Sequence, residues 1–188
     1  MTITNRYTRT EAERRFDFKN AREYEEYVAN RIGVPNLTKF NGKDDLDIWV
    51  PGYFIEIKEK NNTYTEGWRV LEGVEERNLF ILDELTVRKA LQWFPNVFFV
   101  LRDKADKAEP RVFLAPIWEI ISIDKARLNR GHTETHTKGK WIIDLSQFTR
   151  LADEADIPEL ATKLLMDKVW KESQCLGGEV TDIDSQRR

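Results

Sequence analysis

Asp47, Glu56 and Lys58 are the residues whose types and spacing suggest chemistry. They lie in the segment Asp44-Asp45-Leu46-Asp47-Ile48-Trp49-Val50-Pro51-Gly52-Tyr53-Phe54-Ile55-Glu56-Ile57-Lys58. Pro51-Gly52 is a turn signal between two β-prone runs, so the segment reads as a hairpin. Antiparallel pairing about that turn sets Val50 opposite Tyr53, Trp49 opposite Phe54, Ile48 opposite Ile55 and Asp47 opposite Glu56. Alternation then gives an apolar face of Leu46, Ile48, Val50, Tyr53, Ile55 and Ile57. The other face carries Asp45, Asp47, Trp49, Phe54, Glu56 and Lys58. Opposed carboxylates destabilise a strand pair unless a cation compensates them. Two carboxylates at that spacing suit a hard divalent cation such as Mg²⁺, which binds oxygen and keeps several water or phosphate ligands. Lys58 points to the same side as Glu56, where an ammonium can orient a water or offset charge developing on a phosphate. A register shift by two would set Asp45 opposite Glu56 instead, so the identity of the aspartate stays open. So does the plainer reading of an amphipathic hairpin with a solvated, ion-paired face.

The elements around the hairpin must hold it against a core. Residues 19–32 read as a helix, with Ala21, Tyr24, Val28 and Ile32 on one stripe and Gly33 as its stop. Residues 37–41, 45–50 and 53–59 read as strands, residues 82–94 as a helix ended by Pro95, and residues 97–102 as an apolar strand. Further on, the pattern predicts strands at 111–114 and 141–145 and helices at 116–128 and 157–171. This is an α/β order with a mixed sheet. Residues 1–15 are expected to be a flexible segment, residues 16–172 one domain, and residues 173–188 a polar tail.

Asp47, eight intervening residues, then Glu56-Ile57-Lys58 resembles the Asp…Glu-x-Lys signature of the PD-(D/E)XK nuclease superfamily, which includes restriction endonucleases and Holliday junction resolvases. The order over residues 19–102, about half of the chain, resembles its helix–strand–strand–strand–helix–strand core. The resemblance therefore implies a restriction-endonuclease-like αβββαβ core with helices flanking the sheet, and a C-terminal extension over residues 103–172. Leu46 stands where many members have proline. The resemblance also implies a metal-dependent nuclease acting on DNA. Asp47 and Glu56 would bind Mg²⁺ or Mn²⁺, with the Ile57 carbonyl as a further ligand and Asp45 as the alternative aspartate. A glutamate on the first helix often completes such a site. Glu25 fits that role, since Val28, Ala29 and Ile32 follow it at three, four and seven positions, whereas Glu23 is followed by Glu26 and Asn30. Lys58 would position the attacking water, and the products would carry 5′-phosphates. The helix after the Glu-x-Lys strand can lend a basic group, and Lys89 is the candidate.

Other residues have two readings. Lys60 is a candidate contact to the DNA backbone or part of a polar turn. Trp49 is a candidate stacking partner for a base or packs beneath the first helix. Trp118, Trp141 and Trp170 are expected in the core. His132 and His136 have zinc-like spacing but stand in a glycine- and threonine-rich loop without an evident third ligand.

Composition narrows the alternatives. Thirty Lys+Arg against 33 Asp+Glu give a net charge of −3, so phosphate binding requires a local basic patch. Two basic clusters stand out, one from Arg6 to Lys19 and one formed by Lys125, Arg127, Arg130, Lys138 and Lys140. No run approaches the ~18–20 apolar residues of a membrane span. The N-terminus lacks an apolar signal core and there is a single cysteine, Cys175, so an intracellular location is expected. No glycine-rich phosphate loop is present. A homodimer is a further expectation. Two rival readings are a non-catalytic nucleic-acid-binding module on the same fold and an unrelated α+β protein-interaction domain.

Overall fold

A computed structural model describes residues 10–40, 42, 45–131 and 137–176. It shows a mixed α/β chain of four helices and nine strands among these residues. The helices are α1 (Glu11–Ile32), α2 (Glu84–Leu91), α3 (Ile117–Ser122) and α4 (Ile157–Leu176). The strands are β1 (Thr38–Lys39), β2 (Ile48–Val50), β3 (Tyr53–Lys60), β4 (Leu79–Asp83), β5 (Val97–Asp103), β6 (Arg111–Pro116), β7 (Ala126–Gly131), β8 (Thr137–Asp144) and β9 (Thr149–Leu151).

Six strands form one sheet in the order β1-β2-β3-β5-β6-β9. Only β3 and β5 run parallel, and every other pair is antiparallel. A second sheet has the order β4-β8-β7. β5 reads Val97-Phe98-Phe99-Val100-Leu101 because it is covered on both faces, the usual reason for an unbroken apolar run in a central strand. On one face Phe98 and Val100 join Ile55, Ile57 and the apolar stripes of α1 and α4. On the other, Phe99 and Leu101 join β4, α2 and α3.

The hairpin forms over three of the expected pairs, but β2 begins at Ile48, so the expected Asp47–Glu56 pair lies beyond the ladder. Val50 pairs with Tyr53, Trp49 with Phe54 and Ile48 with Ile55. Gly52 supplies the turn at φ +104°, where a side chain would be strained. Ile48, Val50, Tyr53, Ile55 and Ile57 are buried together. Leu46 differs. β2 begins at Ile48, so strand alternation does not extend to Leu46, which packs in the opposite layer with β4 and α2.

α1 is longer than its apolar stripe. Thr10 and Glu13 form a capping box, with the Glu13 amide donating to Thr10 Oγ1 and the Thr10 amide to Glu13 Oε2. Residues 11–15, expected to be a loose lead-in, are therefore helical, and Gly33 closes the helix at φ +59°. The segment expected as one helix over 82–94 splits into β4 and α2. Leu79-Phe80-Ile81-Leu82 is a short apolar run that periodicity alone cannot assign, and pairing with β8 makes it a strand. The helix expected over 116–128 stops at Ser122, after which Ala126–Gly131 pairs with β8. The extension thus holds four strands and two helices, and α4 continues to Leu176 into the segment expected as tail. Trp170 is 66% exposed rather than in the core, because it lies beyond the part of α4 that packs on the sheet. His132 and His136 lie outside the described residues.

Candidate active site

β3 organises the site. Its register with β5 sets Glu56 beside Phe99 and Lys58 beside Leu101, so both side chains face the layer that holds α2. Glu56 is 2% exposed. Its Oε1 accepts from Lys58 Nζ at 2.5 Å. Its Oε2 is buried and has no hydrogen-bond partner among the described residues. A buried carboxylate oxygen without a partner is costly, and Tyr53 Oη is the other such side-chain atom among the described residues.

Asp47 lies just ahead of β2. Its carbonyl accepts from the Phe40 amide at 2.9 Å, which holds it beside the β1–β2 edge. Its Oδ2 accepts from the Ile57 amide at 2.6 Å, which aims the carboxylate at the middle of β3. The Ile57 carbonyl accepts from Lys58 Nζ at 3.0 Å. The ammonium thus sits between Glu56 Oε1 and the Ile57 carbonyl, two groups expected to ligate a cation. The Lys58 side chain as a whole is about one third exposed.

Glu25 is positioned by α1. Its neighbour Tyr24 is buried and donates to Glu154 Oε1 at 2.7 Å, while the Arg102 guanidinium lies 4.0 Å from the centre of the Tyr24 ring. Val28 and Ile32 complete the anchored stripe. Glu25 is half-buried, whereas Glu23 and Glu26 are exposed, and Glu26 is paired with Lys39 at 2.6 Å.

The four groups act on one another. Burial, and then the charge of Asp47, push the Glu25 carboxyl up to about 7. Burial also raises Glu56, against the opposing pull of Lys58. Burial alone would lower Lys58, but Glu56, Asp47 and Glu25 outweigh it and hold the ammonium above its ordinary range. A cluster with three carboxylates and one ammonium is over-supplied with negative charge once all three ionise.

Lys89 reaches the same place from α2. Its Nζ donates to the Asp45 carbonyl at 2.9 Å, and its charge acts on Glu56. The Asp45 carboxylate is exposed and folds against Gly42, so Asp47 rather than Asp45 faces β3. Trp49 is half-buried on β2. Lys60 does not reach the surface expected of a DNA contact. Its side chain is fully buried, and Nζ donates to the carbonyls of Glu76 at 3.0 Å and Leu79 at 3.1 Å. It also pairs with Glu76 Oε1 at 3.1 Å and lies over the Tyr64 ring. One strand period past Lys58, it faces inward because β4 and the chain before it cover that end of β3.

Sequence reasoning passed over Trp93. It is 51% exposed, and its ring centre lies 4.5 Å from that of Phe54. Its only sequence signal is a large aromatic just after an amphipathic helix.

The donor chemistry fits a hard cation. Asp47, Glu56 and Glu25 all offer carboxylate oxygens, and Glu56 Oε2 is unpartnered. Among the described residues no three such side chains already converge at ligating distance, so binding would draw the carboxylates together and displace Lys58 from Glu56. No protein-family description, curated protein or solved structure matches the chain.

Proposed function

We propose that the protein is a metal-dependent nuclease that hydrolyses DNA phosphodiester bonds. The observation that carries this reading is Glu56, buried with one oxygen unpartnered beside Asp47 and Lys58. The chain order supports it. An N-terminal helix is followed by three antiparallel strands, a helix, and a strand parallel to the third. That order resembles the restriction-endonuclease-like core, with β4 of the second sheet inserted before α2.

Asp47, Glu56 and Glu25 would hold Mg²⁺ or Mn²⁺, with the Ile57 carbonyl available once Lys58 moves. The bound metal supplies neutralisation of the phosphate and a water of lowered pKa. Lys58 Nζ would then hold the attacking water on the phosphorus. The water oxygen forms the new P–O bond as the P–O3′ bond breaks, leaving a 5′-phosphate and a 3′-hydroxyl. Lys89, already beside Asp45, would meet the phosphate backbone. A non-catalytic nucleic-acid-binding module is the second reading, favoured by the closed Lys58–Glu56 pair.

The test is cleavage of supercoiled, linear, single-stranded and four-way-junction DNA in Mg²⁺, Mn²⁺ or EDTA. Cleavage is expected only with metal, and Lys58→Ala and Asp47→Ala each should lower it by at least ~100-fold. DNA binding without cleavage by the unaltered protein would favour the second reading.

A further inference from the structure

We infer that Trp93, Phe54 and Phe40 form a stacking platform for an unpaired nucleobase beside the Asp47–Glu56 site, so that the substrate is DNA with a single-stranded or splayed nucleotide at the cleavage point. This rests on the nuclease reading for the identity of the ligand as DNA.

The three rings form a row. Phe54 lies between Phe40, at 6.5 Å between ring centres with planes 30° apart, and Trp93, at 4.5 Å and 38°. None of the three is fully buried, and Trp93 ends the row half exposed. The outer part of the Trp93 indole is thus open to a planar ligand. Strand alternation ties the row to the site. Phe54 precedes Glu56 by two residues on the same face of β3, a separation of ~6.6 Å along the strand. Lys89 stands one helical turn before Trp93, and its ammonium bonds the Asp45 carbonyl. Aromatic surface, a cation and carboxylates therefore follow one another across a single face. That succession matches a nucleotide whose base lies on the rings while its phosphate approaches Lys89 and the carboxylates. In a paired duplex the base faces are already stacked and are not available to the platform. Base–aromatic stacking tolerates any base, so the platform selects strand state rather than sequence.

The test is binding in EDTA, where cleavage cannot interfere. Labelled single-stranded, forked and blunt duplex DNA are titrated by anisotropy, with 2-aminopurine placed at the unpaired position of the fork. The protein should prefer single-stranded and forked DNA over blunt duplex and should quench 2-aminopurine. Trp93→Ala should weaken single-stranded and forked binding by roughly 5- to 150-fold and abolish quenching, and Trp93→Phe should restore most of both. Leu85→Ala, a truncation of another exposed apolar residue, on α2 itself, should change neither. If the protein cleaves DNA in Mg²⁺ but leaves 2-aminopurine bright, or if Leu85→Ala matches Trp93→Ala, the platform is overturned and the nuclease reading stands. If Trp93-dependent quenching occurs without any cleavage, the platform stands and the nuclease reading falls. Absence of DNA binding in EDTA overturns the platform, and absence of cleavage in Mg²⁺ or Mn²⁺ as well overturns both.

Discussion

Glu25 shows how one side chain reports on its surroundings. Its carboxyl is held up to about 7, against an ordinary value of 4.5, first by burial and then by the Asp47 charge. Between those values the unfolded chain has lost the proton that the folded chain keeps. The folded state then binds more protons, so stability falls as pH rises from about 4.5 to about 7 and stays lower above that. Glu25→Gln removes this decline. In EDTA its melting temperature should match that of the unaltered protein near pH 4 and exceed it increasingly up to pH 8. Parallel curves across that range would show that Glu25 does not sit in the carboxylate cluster. Asp47 makes a related point. A bond from the Ile57 amide distinguishes it from Asp45 two residues away, and no property of the aspartates themselves does so.

At the scale of elements, β3 carries two kinds of lysine. Lys58 lies beside the carboxylates and is partly exposed, whereas Lys60 is sealed beneath the chain that leads into β4. Lys60 joins β3 to that chain through two carbonyls and Glu76, and Asp103 on β5 lies 3.9 Å away. Removing one partner from such a buried cluster leaves the others uncompensated. Lys60→Met should therefore lower unfolding free energy by about 3–5 kcal/mol in urea titrations. It should leave the salt dependence of DNA binding unchanged, because no phosphate contact is lost. A loss below about 1 kcal/mol, or a flatter salt slope, would return Lys60 to the binding surface. Two residues of strand separate a site lysine from a structural one, and only what covers each end of β3 tells them apart.

Over the whole molecule the charge is spent unevenly. Three residues of the expected basic cluster after residue 124 are held in contacts within the chain. Arg127 pairs with Glu84, Lys140 with Asp83, and Lys125 caps two carbonyls of the α3 turn. Among the described residues, Lys58 and Lys89 act on Glu56, and Lys58, Lys39 and Arg22 on Glu25. A divalent cation should therefore stabilise the folded state by mass action, since the unfolded chain does not hold these carboxylates together. At a hundredfold excess over its dissociation constant, the gain is about 2.7 kcal/mol, or on the order of 5–10 °C in melting temperature for a chain of this size. Asp47→Asn should lose most of that shift. An equal shift in the variant would place the cation elsewhere. Among the described residues, no helix is long and apolar enough to cross a membrane.

The hairpin register was legible in the sequence because it depends on neighbours in the chain. A turn dipeptide between alternating residues leaves few ways to pair Ile48–Val50 with Tyr53–Ile55. The apolar stripe of α1 and the apolar strand β5 were legible for the same reason, since a period of 3.6 or an unbroken apolar run is written locally. The capping box at Thr10 was equally written there, though it outweighs a polar lead-in only once seen as a cap. Contacts between distant segments decided the rest. β4 is a strand because β8, some sixty residues later, supplies its hydrogen bonds. Lys60 is buried because the chain around Glu76 and Leu79 closes over it. Trp93 meets Phe54 because α2 returns the chain to the hairpin. Sequence alone determined which residues are candidates for chemistry and that Glu56 and Lys58 share one face of β3. Tertiary structure decided which of them face one another, because burial and charge coupling arise only when separate segments exclude the same water.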